Sequence, residues 1–292
     1  MIDEVSIRSR ARQFMLGLDL SNIDKDLSVY TQKVNAKLTY EEMSYGESGY
    51  TLTRRNGKSS IVVNELERRE RQRFSACHEV AHLVLGLASN HQETPSWSYA
   101  KREDNEIACD IFASELLMPF DAFKRDVDQD EPSFELIEQL RAKYVVSFAA
   151  CASRLAATTD YPCAFVFMDS KVVRYASRSK ALRGLNAWVE MRAPVPNGSV
   201  AHRLIQSGDW SGEDSDISQD VWFRDWPKGY DLTEMAKHYP TFDETFSLIW
   251  FEQDSGPQEP VKNWSGTPMQ DDDDGLKELD GVLSFHSRSK KK

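Results

Sequence analysis

The chain has no long apolar run, no paired-cysteine motif and no excess of positive charge, and each lack closes off a class of function. No stretch approaches the roughly 18 consecutive apolar residues that a membrane-spanning helix requires. The opening Met1-Ile2-Asp3-Glu4 shows no basic start followed by an apolar segment, so we expect no secretory signal and a cytoplasmic location. The four cysteines, Cys77, Cys109, Cys151 and Cys163, are widely spaced, and no Cys-x-x-Cys pair occurs. Reduced, buried thiols are therefore expected in place of a disulfide framework or a cysteine zinc site. Lysine and arginine number 36 against 47 aspartates and glutamates, a net charge of −11. Nucleic-acid binding needs local positive charge, so direct binding is not expected. An acidic surface would instead suit a basic protein partner.

What is present is ordinary globular material: 292 residues, 40% hydrophobic and 28% charged, enough for two or three domains. Ile7, Ala11, Phe14, Met15 and Leu18 recur at helical spacing, and Leu27 to Ala36 suggests a second helix. Tyr50 to Thr53 and Ser60 to Asn64 read as two strands of a hairpin around Asn56-Gly57. Long helical patterns follow over 67–88 and from Asp104 to Met118, where Pro119 stops the second. Residues 89–102 between them read as loop. Shorter helices are expected after Pro132-Ser133 and over Phe148 to Ala157. Beyond Pro162 the period changes: Cys163 to Met168, Lys171 to Tyr175, Trp188 to Met191, Asp220 to Phe223 and Phe246 to Phe251 read as strands. We expect four parts: a first domain at 1–128, a helical unit at 129–160, a sheet-rich domain at 161–254 and a disordered tail at 255–292. The tryptophans of the third part would either form its core or line a pocket for a small-molecule effector.

The chemistry centres on His78-Glu79-Val80-Ala81-His82. Residues four apart share one face of a helix, so both imidazoles can point at one ion. Glu79 is turned by about 100° from His78. That places it outside the ligand set and within reach of a water, where it can act as general base. Zinc needs a third protein ligand. Glu106 is the favoured choice, near the start of the next helix, with Glu103, Asp104, Asp110 and His91 as rivals. The strand Ile61, Val62, Val63 and Asn64 is expected to be an edge that binds an extended peptide. Tyr45, Tyr50, His91 and Tyr99 are candidates for stabilising the oxyanion.

The run Arg71 to His82, followed by Glu106 to Pro119 with its Phe112-Ala113-Ser114-Glu115-Leu116-Leu117-Met118-Pro119 ending, resembles the ImmA/IrrE family of metallopeptidases. Asp110 stands where that family usually has asparagine, and Cys109 where alanine is usual. The resemblance covers about residues 5–160 and extends more loosely to the rest. It implies an α+β protein: a zincin-like helical peptidase domain with a small sheet, a helix-turn-helix-like unit, then a GAF/PAS-like domain. It also implies one zinc ion held by His78, His82 and Glu106, with Glu79 as base. The substrate it implies is a helix-turn-helix repressor, cut to switch on stress-response or mobile-element genes. The competing expectation is a non-catalytic module in which zinc is structural and the protein sequesters its partner.

Overall fold

The structure, a computed structural model, describes residues 3–44, 46–87, 104–208, 212–223, 226, 229–252 and 256–257. It is α+β and falls into two compact units, residues 3–123 with 139–151, and residues 124–138 with 152–252. The boundaries lie inside the helical segment 120–158, made of α5 (Phe120–Val127), α6 (Phe134–Tyr144) and α7 (Phe148–Thr158). The expected loop at 89–102 lies outside the described residues, as does the expected tail apart from Gly256 and Pro257. Among the described residues no helix is long and apolar enough to cross a membrane.

The first unit opens with α1 (Glu4–Met15), capped by the Asp3 side chain on the Ser6 N–H. A short helix α2 (Ser28–Lys33) follows and ends earlier than the apolar spacing predicts. Asn35 takes a left-handed φ of 52°, which an asparagine tolerates, and turns the chain into an unforeseen strand β1 (Ala36–Glu41). β2 (Gly49–Thr53) and β3 (Ser59–Asn64) form the predicted antiparallel hairpin, and β1 joins β3 in parallel. The strand order is β1-β3-β2. This corrects one expectation: Ile61, Val62, Val63 and Asn64 belong to the central strand, paired on both sides and buried, so they present no free edge. The edge strand of the hairpin is β2. Gly49 lets it lie close to β3, because a Cβ there would meet the Val62 carbonyl at 2.8 Å.

The motif helix α3 (Arg69–Leu85) packs on β2 and β3, α4 (Asp104–Leu117) packs on α3, and α1 packs on α4. Glu115 locks the last pair. Its fully buried carboxylate accepts from Arg8 Nη1 at 3.2 Å, Arg12 Nε at 2.9 Å and the Phe120 N–H at 3.2 Å. Tyr30 OH adds a buried bond to the Leu116 carbonyl at 2.9 Å.

The second unit holds a fully antiparallel sheet of order β5-β4-β8-β7-β6, with β4 Cys163–Asp169, β5 Val172–Arg178, β6 Glu213–Ser218, β7 Asp231–Tyr239 and β8 Glu244–Trp250. Beyond the helical segment 120–158, α8 (Lys180–Gly184) and α9 (Val200–Ser207) belong to this unit, and α9 packs on the sheet. Trp222, Trp226 and Trp250 are buried, the first two in a core that includes Phe223 and Phe251. The cavity beside Trp222 measures about 10 Å³, room for no more than a water. Two strand expectations fail. Trp188 to Met191 is irregular: the chain beyond it runs beside β5 through bonds at Arg192 and Ala193, and Pro194 and Pro196 supply no N–H to extend a ladder. Gln219–Val221 is a short 3-10 turn that swings the Trp222 indole onto Glu234. The carboxylate of Glu234, buried in mid-strand, also accepts from Ser247 Oγ and from the first N–H groups of α9, so all its bonds are made internally.

Candidate metal centre

His78, Glu79 and His82 come together because α3 runs unbroken through all three. Their ligand atoms lie within 4.8 Å of one another. The two imidazoles turn their Nε2 atoms toward each other at 3.1 Å. Each ring is fixed from behind. His78 Nδ1 lies 2.8 Å from Asp110 Oδ1, and His82 Nδ1 lies 3.2 Å from the Leu87 carbonyl oxygen. Both partners are acceptors, so both Nδ1 atoms carry the proton, and the Nε2 lone pairs remain to bind a cation. The Leu87 contact depends on how α3 ends. Gly86 adopts a left-handed φ of 69° and sends its own N–H and that of Leu87 back to the His82 carbonyl.

Glu106, in the first turn of α4, reaches the same point. Its Oε2 is 3.1 Å from His78 Nε2 and its Oε1 is 3.6 Å from His82 Nε2. Asp110, one helical turn further along α4, therefore sits behind the ring that Glu106 faces from the front. The neighbouring Asp104 is exposed, and Glu103 and His91 lie outside the described residues. Glu79 is buried and accepts a hydrogen bond from Thr51 Oγ1 at 2.7 Å. That contact brings the edge strand β2 into the site. Of the oxyanion candidates only Tyr50, on β2, is described.

The electrostatics favour a cation. Burial alone would lower the pKa of His78, but bonds to Asp110 and Glu106 and the charges of Asp110 and Glu79 outweigh it and push it up to about 10. Without an ion, this cluster holds a proton. The donor set also suits zinc. Two Zn–N bonds of about 2.0–2.1 Å in a tetrahedron place the nitrogens roughly 3.3 Å apart. The observed 3.1 Å between Nε2 atoms, and the same distance to Glu106, are close to that. The cluster of possible ligands among the described residues includes neither thiol: Cys77 and Cys109 are fully buried, and burial pushes Cys77 up to about 12 and raises Cys109 as well. All four cysteines are free and buried, as their spacing implied.

Residues 31–156 match the model of a peptidase family described as the IrrE N-terminal-like domain. The chain is similar in fold to a Mycobacterium tuberculosis transcriptional regulator, with a TM-score of 0.54 and 12% identity over 85% of this chain and 75% of that one. No curated protein matches in sequence.

Proposed function

We propose that this chain, which carries an IrrE N-terminal-like peptidase domain over residues 31–156, is a zinc-dependent endopeptidase that cuts a specific helix-turn-helix repressor. The supporting observation is the convergence of His78 Nε2, His82 Nε2 and both oxygens of Glu106 on one point, with each ring's other nitrogen already bonded. Those three residues would hold the ion. When bound, zinc supplies Lewis acidity toward a peptide carbonyl and toward water.

The chain's own residues do the rest. Glu79 takes a proton from the attacking water and returns it to the leaving amine. Thr51 holds that carboxylate in place through its hydroxyl. The substrate lies along β2. Bonds from the Arg54 N–H to Lys58 and from the Asn64 N–H to Ser48 mark both ends of the hairpin ladder. Alternate pairs of an antiparallel ladder are bonded, so Gly49, Thr51 and Thr53 turn their N–H and C=O groups outward. No strand pairs with that side of β2 among the described residues. An extended peptide adding there by β-augmentation would bond to the backbone of Thr51, the residue whose side chain holds the base. A basic repressor would complement the net charge of −11.

Glu79→Gln keeps the shape of the site and removes the base. Incubated with zinc and the helix-turn-helix protein encoded nearest to it, the wild type should produce two fragments by intact mass. The variant should produce none while retaining one zinc per chain. Equal cleavage by both proteins would overturn the role of Glu79.

A further inference from the structure

In the first unit, a cavity of about 530 Å³ opens between α2, β1 and the N-terminal half of α3, its walls including Lys25, Asp26, Tyr40, Arg69, Gln72 and Arg73. We propose that it is a binding site for a phosphate-bearing small molecule. Arg69, Gln72 and Arg73 stand at i, i+3 and i+4 on α3 and so form one stripe facing the cavity. Lys25 brings a third cation from the segment before α2. The one carboxylate in the wall, Asp26, is already engaged by the Ser28 N–H at 2.8 Å and the Ser28 hydroxyl at 2.6 Å. The wall therefore carries a surplus of positive charge in a protein that is acidic overall.

Arg73 is the feature that calls for a ligand. It is 5% exposed, and its Nη1 donates to the Asp24 carbonyl at 3.2 Å. Its Nε and Nη2 are buried and have no hydrogen-bond partner among the described residues. A guanidinium is always charged, and burying two of its donors without partners is costly even with the Asp24 charge nearby. Burial accordingly presses its pKa down. An anion in the cavity would offset that cost. A phosphoryl group offers several acceptor oxygens to the planar donor fork of arginine, and the volume leaves room for an organic part beside the half-exposed ring of Tyr40. The site would be separate from the metal centre, since none of its lining residues is His78, Glu79, His82 or Glu106.

Calorimetric titration and thermal melting of the full zinc-loaded chain test this with two probes, inorganic phosphate and adenosine monophosphate, against adenosine as the uncharged control. We expect saturable binding of at least one phosphate probe and none of adenosine. Tm should rise by roughly 5–10 °C at one hundred times Kd. Tighter binding of the nucleotide would identify an organic phosphate as the ligand, and equal binding would identify the phosphate alone. Arg69→Gln and Lys25→Gln change exposed residues and should each weaken binding at least tenfold. Glu106→Gln, at the metal centre, should leave it unchanged. Absence of saturable phosphate binding, or binding that survives Arg69→Gln combined with Lys25→Gln, would overturn the proposal. So would binding lost in Glu106→Gln alone, which would place the anion at the metal.

Discussion

Each histidine of the centre is defined by what lies behind it. Asp110 accepts from His78 and the Leu87 carbonyl accepts from His82, and these contacts fix the tautomer that presents Nε2. Removing such a partner typically costs about 10–100-fold in metal affinity. Asp110→Ala should therefore weaken zinc binding by that factor in a chelator competition, and Asp110→Asn by less, since its amide oxygen can still accept. An unchanged zinc Kd in Asp110→Ala would show that the contact does not orient the ring. Sequence spacing could place Asp110 near the ion but could not separate a ligand from a residue behind a ligand. The distinction rests on which ring nitrogen faces α4, and that follows from packing.

Among the elements, α4 does two jobs. Its first turns supply Glu106 and Asp110, and its last turn supplies Glu115, which ties it to α1. Removing one partner of a buried, hydrogen-bonded ion group typically destabilises by about 3–5 kcal/mol. Glu115→Ala should lower the urea midpoint accordingly, and a shift below about 1 kcal/mol would mean the two arginines find other partners. The helices carrying the site were legible in the sequence because His78, His82 and the apolar residues around them keep one period over several turns. The hairpin was legible from Asn56-Gly57. β1 was not, because its faces are half-exposed and Lys37, Tyr40 and Glu41 mask the alternation. Missing β1 made β3 look like an edge. β6 and β7 escaped for a related reason: β6 is an acidic edge strand, and β7 turns Glu234 and His238 inward where apolar residues would be expected.

For the whole molecule, the acidic balance extends into the interior of the second unit. Glu244 is 9% exposed, one of its oxygens has no partner among the described residues, and burial, then the charge of Asp169, push it up to about 7. Its folded pKa lies above its unfolded value of 4.5. The unfolded chain thus releases this proton first. The contribution to stability is fully present below pH 4.5 and is lost as pH rises through 7. Glu244→Gln should leave stability near pH 5 little changed and raise it at pH 8 by something on the order of 2 kcal/mol. Parallel pH–stability curves for the two proteins would contradict this.

Anomalous diffraction from crystals of the zinc-loaded protein, collected on both sides of the zinc edge, tests most directly for an ion at the meeting point of α3 and α4. We predict one peak per chain, about 2.0–2.2 Å from His78 Nε2, His82 Nε2 and a Glu106 oxygen, with Glu79 outside bonding distance. A peak bound by a cysteine, a fourth protein ligand closing the site, or no peak between the two imidazoles would contradict it.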